Sequence, residues 1–301
     1  MGSPEFAVPS LRALAEAFDI VQVITQPDRP AGRGRHLRQP PVKRVAQELG
    51  LPVWQAETLR DPQAVEHLRS LRPVCVVVAA YGEIIRPQVL RIAPRGFVNV
   101  HASLLPRYRG ASPVSAAILA GEEETGVTIL LLDSGMDTGP VLAQERIPIA
   151  RDDTRGSLEE KLARLGADLL VRTLPAWLAG EIKPVPQGHA LATVTRPLTR
   201  EDGRIDWSQP ASHLERLCRA MDPWPGAHTR WDGRLLRVWR GQVTTGPAAP
   251  PGTVLAWNGG VAVATGDGLL RLLVVQPEGR PPMPAEDFVR GRPQFVGSVL
   301  T

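Results

Sequence analysis

The chain is poor in cysteine: Cys75 and Cys218 are the only two in 301 residues, far apart and without metal-ligand spacing. A disulfide scaffold is thereby excluded, and two reduced, buried thiols are expected. No apolar run approaches the roughly 20 residues a membrane-spanning helix needs, and no signal peptide opens the chain. A soluble, cytoplasmic protein with no membrane partner is expected. Lysine is scarce, with Lys43, Lys161 and Lys183 the only three among 35 basic residues; we read this as genome composition rather than arginine-specific recognition. Internal repeats and low-complexity tracts are missing. So are a P-loop, a His-Glu-x-x-His motif and a dinucleotide glycine fingerprint, since Gly32-Arg33-Gly34 has no third glycine and opens no helix. No metal is expected, and a nucleotide-sugar dehydrogenase is disfavoured.

What is present describes a globular protein. Hydrophobic residues make up 43% and charged residues 22%, and the length suits one large or two ordinary domains. The formal charge of +4 permits an anionic partner without requiring one. Helical stretches are read at 10–18, 41–49, 61–71, 113–121 and 157–179. Strands are read at 20–24, 52–54, 74–80, 97–101, up to Asp133, and 141–149. The run Val74 to Ala80 is apolar throughout, as a strand buried on both faces of a parallel sheet requires. From Ile205 the pattern changes to short alternating strands, with turns at Asp232-Gly233, Asn258-Gly259 and Asp267-Gly268, which suggests a small barrel. Its five tryptophans (Trp207, Trp224, Trp231, Trp239, Trp257) are read as core rather than as nucleotide-stacking platforms.

The centre of the chain is the stretch from Phe97 to Pro140. Asn99 and His101 are two apart on a strand and so share a face. A Ser-Leu-Leu-Pro-Arg loop follows, then a short helix, a second strand, and a glycine-rich turn holding Asp137. Ligands of parallel α/β sheets sit beyond the carboxyl ends of the strands, and the three side chains are expected to converge there. An amide, an imidazole and a carboxylate together suit acyl transfer. His101 alone would read as a structural histidine; its neighbours favour a catalytic one. His36, His67, His189, His213 and His228 lack such surroundings.

Asn99-Val100-His101, Ser103-Leu104-Leu105-Pro106-Arg107, Arg109-Gly110-Ala111-Ser112-Pro113, Thr125-Gly126-Val127-Thr128 and Asp133 to Pro140 form an ordered series. On these pieces the chain resembles the folate-dependent formyltransferases, most closely those acting on methionyl-tRNA. The resemblance runs from Gly2 to about Leu273. It implies a Rossmann-like, doubly wound, mainly parallel sheet followed by an OB-like β-barrel. The expected layout is a catalytic domain at 1–183, a linker at 184–204 and the barrel at 205–301. It implies 10-formyltetrahydrofolate as co-substrate, initiator methionyl-tRNA as partner, and a monomer. Asn99, His101 and Asp137 would be catalytic. Tyr81, Gly82, Ile84, Ser103, Leu104, Leu105, Pro106, Arg107 and Asp133 would line the folate pocket. Two roles are open for Arg107, meeting a carboxylate or phosphate or bracing the loop. Two are open for Asp133, a bond within the pterin loop or a cap on the turn.

Two further expectations concern the first forty residues. From Arg29 to Arg44 there are six basic side chains and no acidic one. Glycine and proline should prevent regular structure there. A solvated charge run is the plain reading. The wording Gln26-Pro27-Asp28-Arg29-Pro30-Ala31-Gly32-Arg33-Gly34 resembles the family's tRNA acceptor-arm loop and points to Arg33 first, with Arg29, Arg35 and Arg38 in support. The opening Gly2-Ser3-Pro4-Glu5-Phe6 could be a vector scar, but it resembles the family's first loop and is taken as native. The family places an apolar strand before it. None stands before Met1, so a start further upstream is expected, with a sheet missing its first, central strand. The rivals are a formyltransferase acting on a small amine such as a sugar nucleotide, and a non-catalytic tRNA-binding relative.

Overall fold

Proline opens several helices, at the first turn where its missing amide hydrogen costs nothing. Such starts are seen in α1 (Val8–Ala17), α2 (Pro41–Glu48), α3 (Pro62–Ser70) and α4 (Pro87–Leu90). Asp61 also caps α3, its carboxylate accepting from the Gln63 amide at 2.9 Å. Two longer-range helices follow, α5 (Pro113–Ala120) and α6 (Arg155–Ala179). The computed structural model describes residues 1–31 and 36–301. The strands of this part are β1 (Val23–Thr25), β2 (Arg29–Ala31), β3 (His36–Arg38), β4 (Val53–Gln55) and β5 (Val76–Val78), then β6 (Phe97–His101), β7 (Arg109–Gly110), β8 (Glu124–Leu131), β9 (Val141–Pro148) and β10 (Val194–Thr195).

Contacts divide the chain into two units. The first comprises 1–113, 124–148 and 159–195, and the second 114–123, 149–158 and 196–301. In the first unit β1 and β4 pair in parallel, as do β5 and β6; β8 and β9 then add antiparallel. Among the described residues, residues 1 and 2 bridge β1 and β5. The Gly2 amide donates to Ile24 O at 3.1 Å and the Ala79 amide to Met1 O at 2.9 Å. The Met1 amine donates to Val77 O at 2.7 Å, and its burial pushes that amine down to about 5. Beyond this bridge lies a cavity of about 390 Å³, lined among others by Ser10, Leu11, Ile24, Cys75, Val77 and Leu174. It forms an apolar groove beside β1 and β5.

The basic segment corrects the expectation of irregular backbone. β2 and β3 form an antiparallel ribbon with Arg29 opposite Arg38 and Pro30 opposite Leu37. A proline is tolerated because an isolated ribbon is all edge. Arg33 and Arg35 lie outside the described residues. Two of the six basic side chains are engaged elsewhere: Lys43 pairs with Asp28 and Arg44 with Glu5.

The second unit contains α7 (Ala211–Ala220), β11 (His228–Trp231), β12 (Arg234–Thr244), β13 (Val254–Trp257), β14 (Gly260–Ala264), β15 (Leu269–Pro277), β16 (Met283–Pro284) and α8 (Ala285–Arg290). Its strands pair antiparallel in the order β11-β12-β15-β14-β13, with β16 beside β15. Asp232-Gly233 and Asn258-Gly259 take positive φ at both positions, as tight hairpins need. Irregular register between Val238 and Gly241 bends the long strand β12, and the sheet curls. Trp207 is buried with its indole donating to Thr229 Oγ1, and Trp231 meets Phe288 and Phe295 edge-on. Trp224 is the exception to the core reading, at 47% exposure.

Candidate active site

β6 is buried along its whole length. Asn99 and His101 point to one face of it, and the loops after β6 and β8 fold over that face. Gly166 of α6 sits against Val100 and Val127. Sequence alternation alone accounts for this division between polar and apolar faces.

The expected convergence is present. Asn99 Nδ2 donates to Asp137 Oδ1 at 3.2 Å, and His101 Nδ1 lies 3.5 Å from Asp137 Oδ2. The Gly110 amide donates to the same Oδ2 at 2.9 Å. On the other side of the ring, His101 Nε2 is 2.9 Å from Tyr108 O. A carbonyl can only accept, so Nε2 carries the hydrogen and Nδ1 is the nitrogen that faces the carboxylate.

The route to this meeting differs from the expected one. β8 is antiparallel to β6, with Leu131 opposite Val98 and Thr128 opposite His101. The turn after β8 therefore leaves from the wrong end of β6 and must fold back over it. Asp137 itself has φ +53. Gly139 permits the return because any Cβ there would overlap the Leu131 carbonyl.

The remaining expected residues fall into two groups. Ser103 and Leu105 are buried and hold the loop from beneath. Ser103 Oγ donates to Arg107 O at 2.7 Å, the Leu105 amide donates to Thr128 Oγ1 at 3.1 Å, and Gln144 Nε2 donates to Leu105 O at 2.8 Å. Leu104 packs toward Gly126, and Pro106 follows a cis peptide bond. Arg107 is exposed, stacks over the Tyr108 ring and donates to its hydroxyl at 3.0 Å. Asp133 caps its turn, accepting from the Gly135 amide at 3.0 Å and Thr138 Oγ1 at 2.6 Å. After β5, Tyr81 is buried and Gly82 takes φ +90. Burial, with the Glu83 charge second, pushes the Tyr81 phenol up to about 12. Glu83 ties this turn to the preceding loop by accepting from Thr58 Oγ1 at 2.6 Å and the Leu59 amide at 3.0 Å. Ile84 is left 66% exposed.

Sequence reasoning missed the contribution of residues 187–195. β10 pairs in parallel with β7. Thr193 Oγ1 accepts from the Tyr108 amide at 2.7 Å, and Thr195 Oγ1 donates to Arg109 O at 2.8 Å. Buried Gln187 donates to Asp137 O at 2.8 Å and Gly139 O at 2.7 Å. Its oxygen accepts from Arg109 Nε at 3.1 Å and from a terminal guanidinium nitrogen at 2.7 Å. Only the glycine of β7 signalled such an approach: Gly110 has φ +94, and a Cβ would overlap the Thr195 carbonyl.

A family profile described as formyl transferase matches residues 6–174, and one described as formyl transferase, C-terminal domain, matches 197–293. The methionyl-tRNA formyltransferase of Roseiflexus sp. (strain RS-1) is 55% identical over 295 residues, 97% of this chain and 91% of the relative. That of Myxococcus xanthus (strain DK1622) is 50% identical over 299 residues, 99% and 96% of the two chains. Among solved structures, an N-formyltransferase from Helicobacter canadensis in complex with folinic acid and dTDP-3-aminofucose gives a TM-score of 0.70 at 18% identity, covering 92% of this chain and 97% of that one. That likeness speaks for the fold, and the close relatives speak for the branch. On both grounds the chain belongs to the methionyl-tRNA formyltransferase family.

Proposed function

We propose that this enzyme moves the formyl group of 10-formyltetrahydrofolate to the amino group of methionine on initiator tRNA, using Asn99, His101 and Asp137. The observation that carries the residue assignment is the meeting of all three side chains, 38 residues apart for the Asn99–Asp137 pair, within 3.5 Å. Asn99 gives one N–H to Asp137; its second is the donor suited to a carbonyl oxygen becoming an oxyanion. Asp137 takes the proton the amine loses as the new C–N bond forms. Asp137 passes that proton to His101 Nδ1, 3.5 Å from its Oδ2, and Nδ1 hands it to the folate nitrogen as the old C–N bond breaks. Exposed Ile84, on the turn fixed by Glu83, offers an apolar edge that fits a flat pterin ring. We take the enzyme to act as a cytoplasmic monomer; no helix among the described residues is long and apolar enough to cross a membrane.

The residues that meet tRNA are, in this reading, Arg29 and Arg38 of the β2–β3 ribbon, together with Arg33 and Arg35. Arg29 and Arg38 stand directly across from each other. Like charges so placed repel, and a phosphate between them removes the repulsion. The test is formyl transfer onto charged initiator tRNA. Asp137→Asn should abolish it, and full activity in that variant would sink the assignment. Arg33→Ala and Arg38→Ala should weaken tRNA binding and lower its salt slope by about one each, with folate binding retained. Equal loss of both ligands would count against the arm.

A further inference from the structure

The fold-back of the turn after β8 poses a physical problem. β8 ends level with Val98, yet Asp137 meets Asn99 and His101. The turn travels back about two residues' rise, roughly 7 Å. Residues 133–136 are exposed and bury no apolar surface that would hold it there. Asn99 and the Gly110 amide hold the Asp137 carboxylate, and the Gln187 carboxamide ties the backbone of the return at Asp137 O and Gly139 O.

We propose that Gln187 is a positioning residue for formyl transfer, pinning the Asp137 turn against His101, and that Thr193 pins the opposite side of the same imidazole through Tyr108. Both come from the segment that leads into the second unit, outside the signature run. The inference rests on the reading of Asp137 as catalytic.

The chemistry of the clamp is specific to glutamine. Its two N–H groups meet two carbonyl oxygens, of Asp137 and Gly139, while its one oxygen takes two N–H groups of Arg109. Arg109 and Gln187 are 6% and 8% exposed, so water cannot replace these bonds freely. A glutamate would set an acceptor against the carbonyls. A leucine, apolar and one bond shorter, would leave the carbonyls and the guanidinium without this partner. At the other end, Thr193 Oγ1 accepts the Tyr108 amide, and Tyr108 O accepts His101 Nε2. The imidazole is therefore gripped through its two nitrogens by groups that residues 187 and 193 hold in place.

The experiment uses the full chain with 10-formyltetrahydrofolate and charged initiator tRNA, comparing Gln187→Leu, Thr193→Val, Thr193→Ser and Asp137→Asn. Gln187→Leu should lower kcat on the order of 100-fold, leave both KM values unchanged, and displace the pH profile of kcat. Thr193→Val should lower kcat, and Thr193→Ser, which keeps the hydroxyl, should restore it. Parental kcat and pH profile in Gln187→Leu, or a change in KM alone, beside an inactive Asp137→Asn, would overturn the inference. An active Asp137→Asn would instead remove the reading beneath it. If Gln187→Leu fails to fold by thermal unfolding, the Thr193 pair decides, and parental kcat in Thr193→Val refutes the clamp.

Discussion

Between β1 and β5 the first unit is stitched by residues 1 and 2 and backed by a cavity of about 390 Å³. Between β6 and β8, eight-residue β8 runs along the strand, and the loops above are tied by Thr128, Gln144, Gln187 and Thr193. Both halves use the same apolar vocabulary. They differ in what joins neighbouring strands: in the second half a long paired strand and side chains from distant segments, whereas between β1 and β5 the join is the backbone of Met1 and Gly2. The contrast implies that geometry for chemistry is concentrated in the half able to hold it to fractions of an ångström.

The largest effect should come from the well-tied half. Asn99→Ala should slow transfer by about 100- to 1000-fold, with thermal stability little changed; a parental rate would break the comparison at its functional end. Next is a matched pair of truncations. Leu130 is fully buried on β8 and Leu11 lines the cavity. Leu130→Ala should cost about 4 kcal/mol of unfolding free energy and Leu11→Ala nearer 2 kcal/mol, because the second removes fewer contacts. Equal costs in denaturant titrations would show the halves to be packed alike. Amides of β1 and β5 should exchange with deuterium faster than those of β6 and β8, through local opening of the groove. The smallest effect concerns the thiols. Burial pushes Cys75 up to about 11 and Cys218 to about 12, so thiolate is scarce at pH 8 and labelling should quicken as pH climbs toward those values. Cys75, which borders the cavity, should label first.

Much of this was legible in the chain because it depends on short spacing. The two-residue step from Asn99 to His101 puts both on one face, the Asp-Gly and Asn-Gly pairs mark hairpins, and proline marks helix starts. The direction of β8 was not legible, since apolar alternation is the same whichever way a strand runs. Neither was Gln187, whose partners lie 50 and 48 residues away. A buried carboxamide leaves no periodic trace. The ribbon at β2–β3 was hidden for the opposite reason: local glycine and proline argued against strands that pairing across only three residues nevertheless forms.

Lys43 ties the base of the ribbon to its neighbours. Its ammonium reaches Asp28 Oδ1 and Oδ2 at 2.9 and 2.8 Å and Gln55 Oε1 at 2.7 Å, while Gln55 Nε2 holds Gln26 O at 2.9 Å. A compact cation with three donors suits three acceptors crowded at one point, where a planar guanidinium would not. In a polypeptide that otherwise spends arginine almost everywhere, this lysine anchors the root of the ribbon to the end of β4. A load on the ribbon is thereby passed to β4 instead of being lost in a swivel at its base.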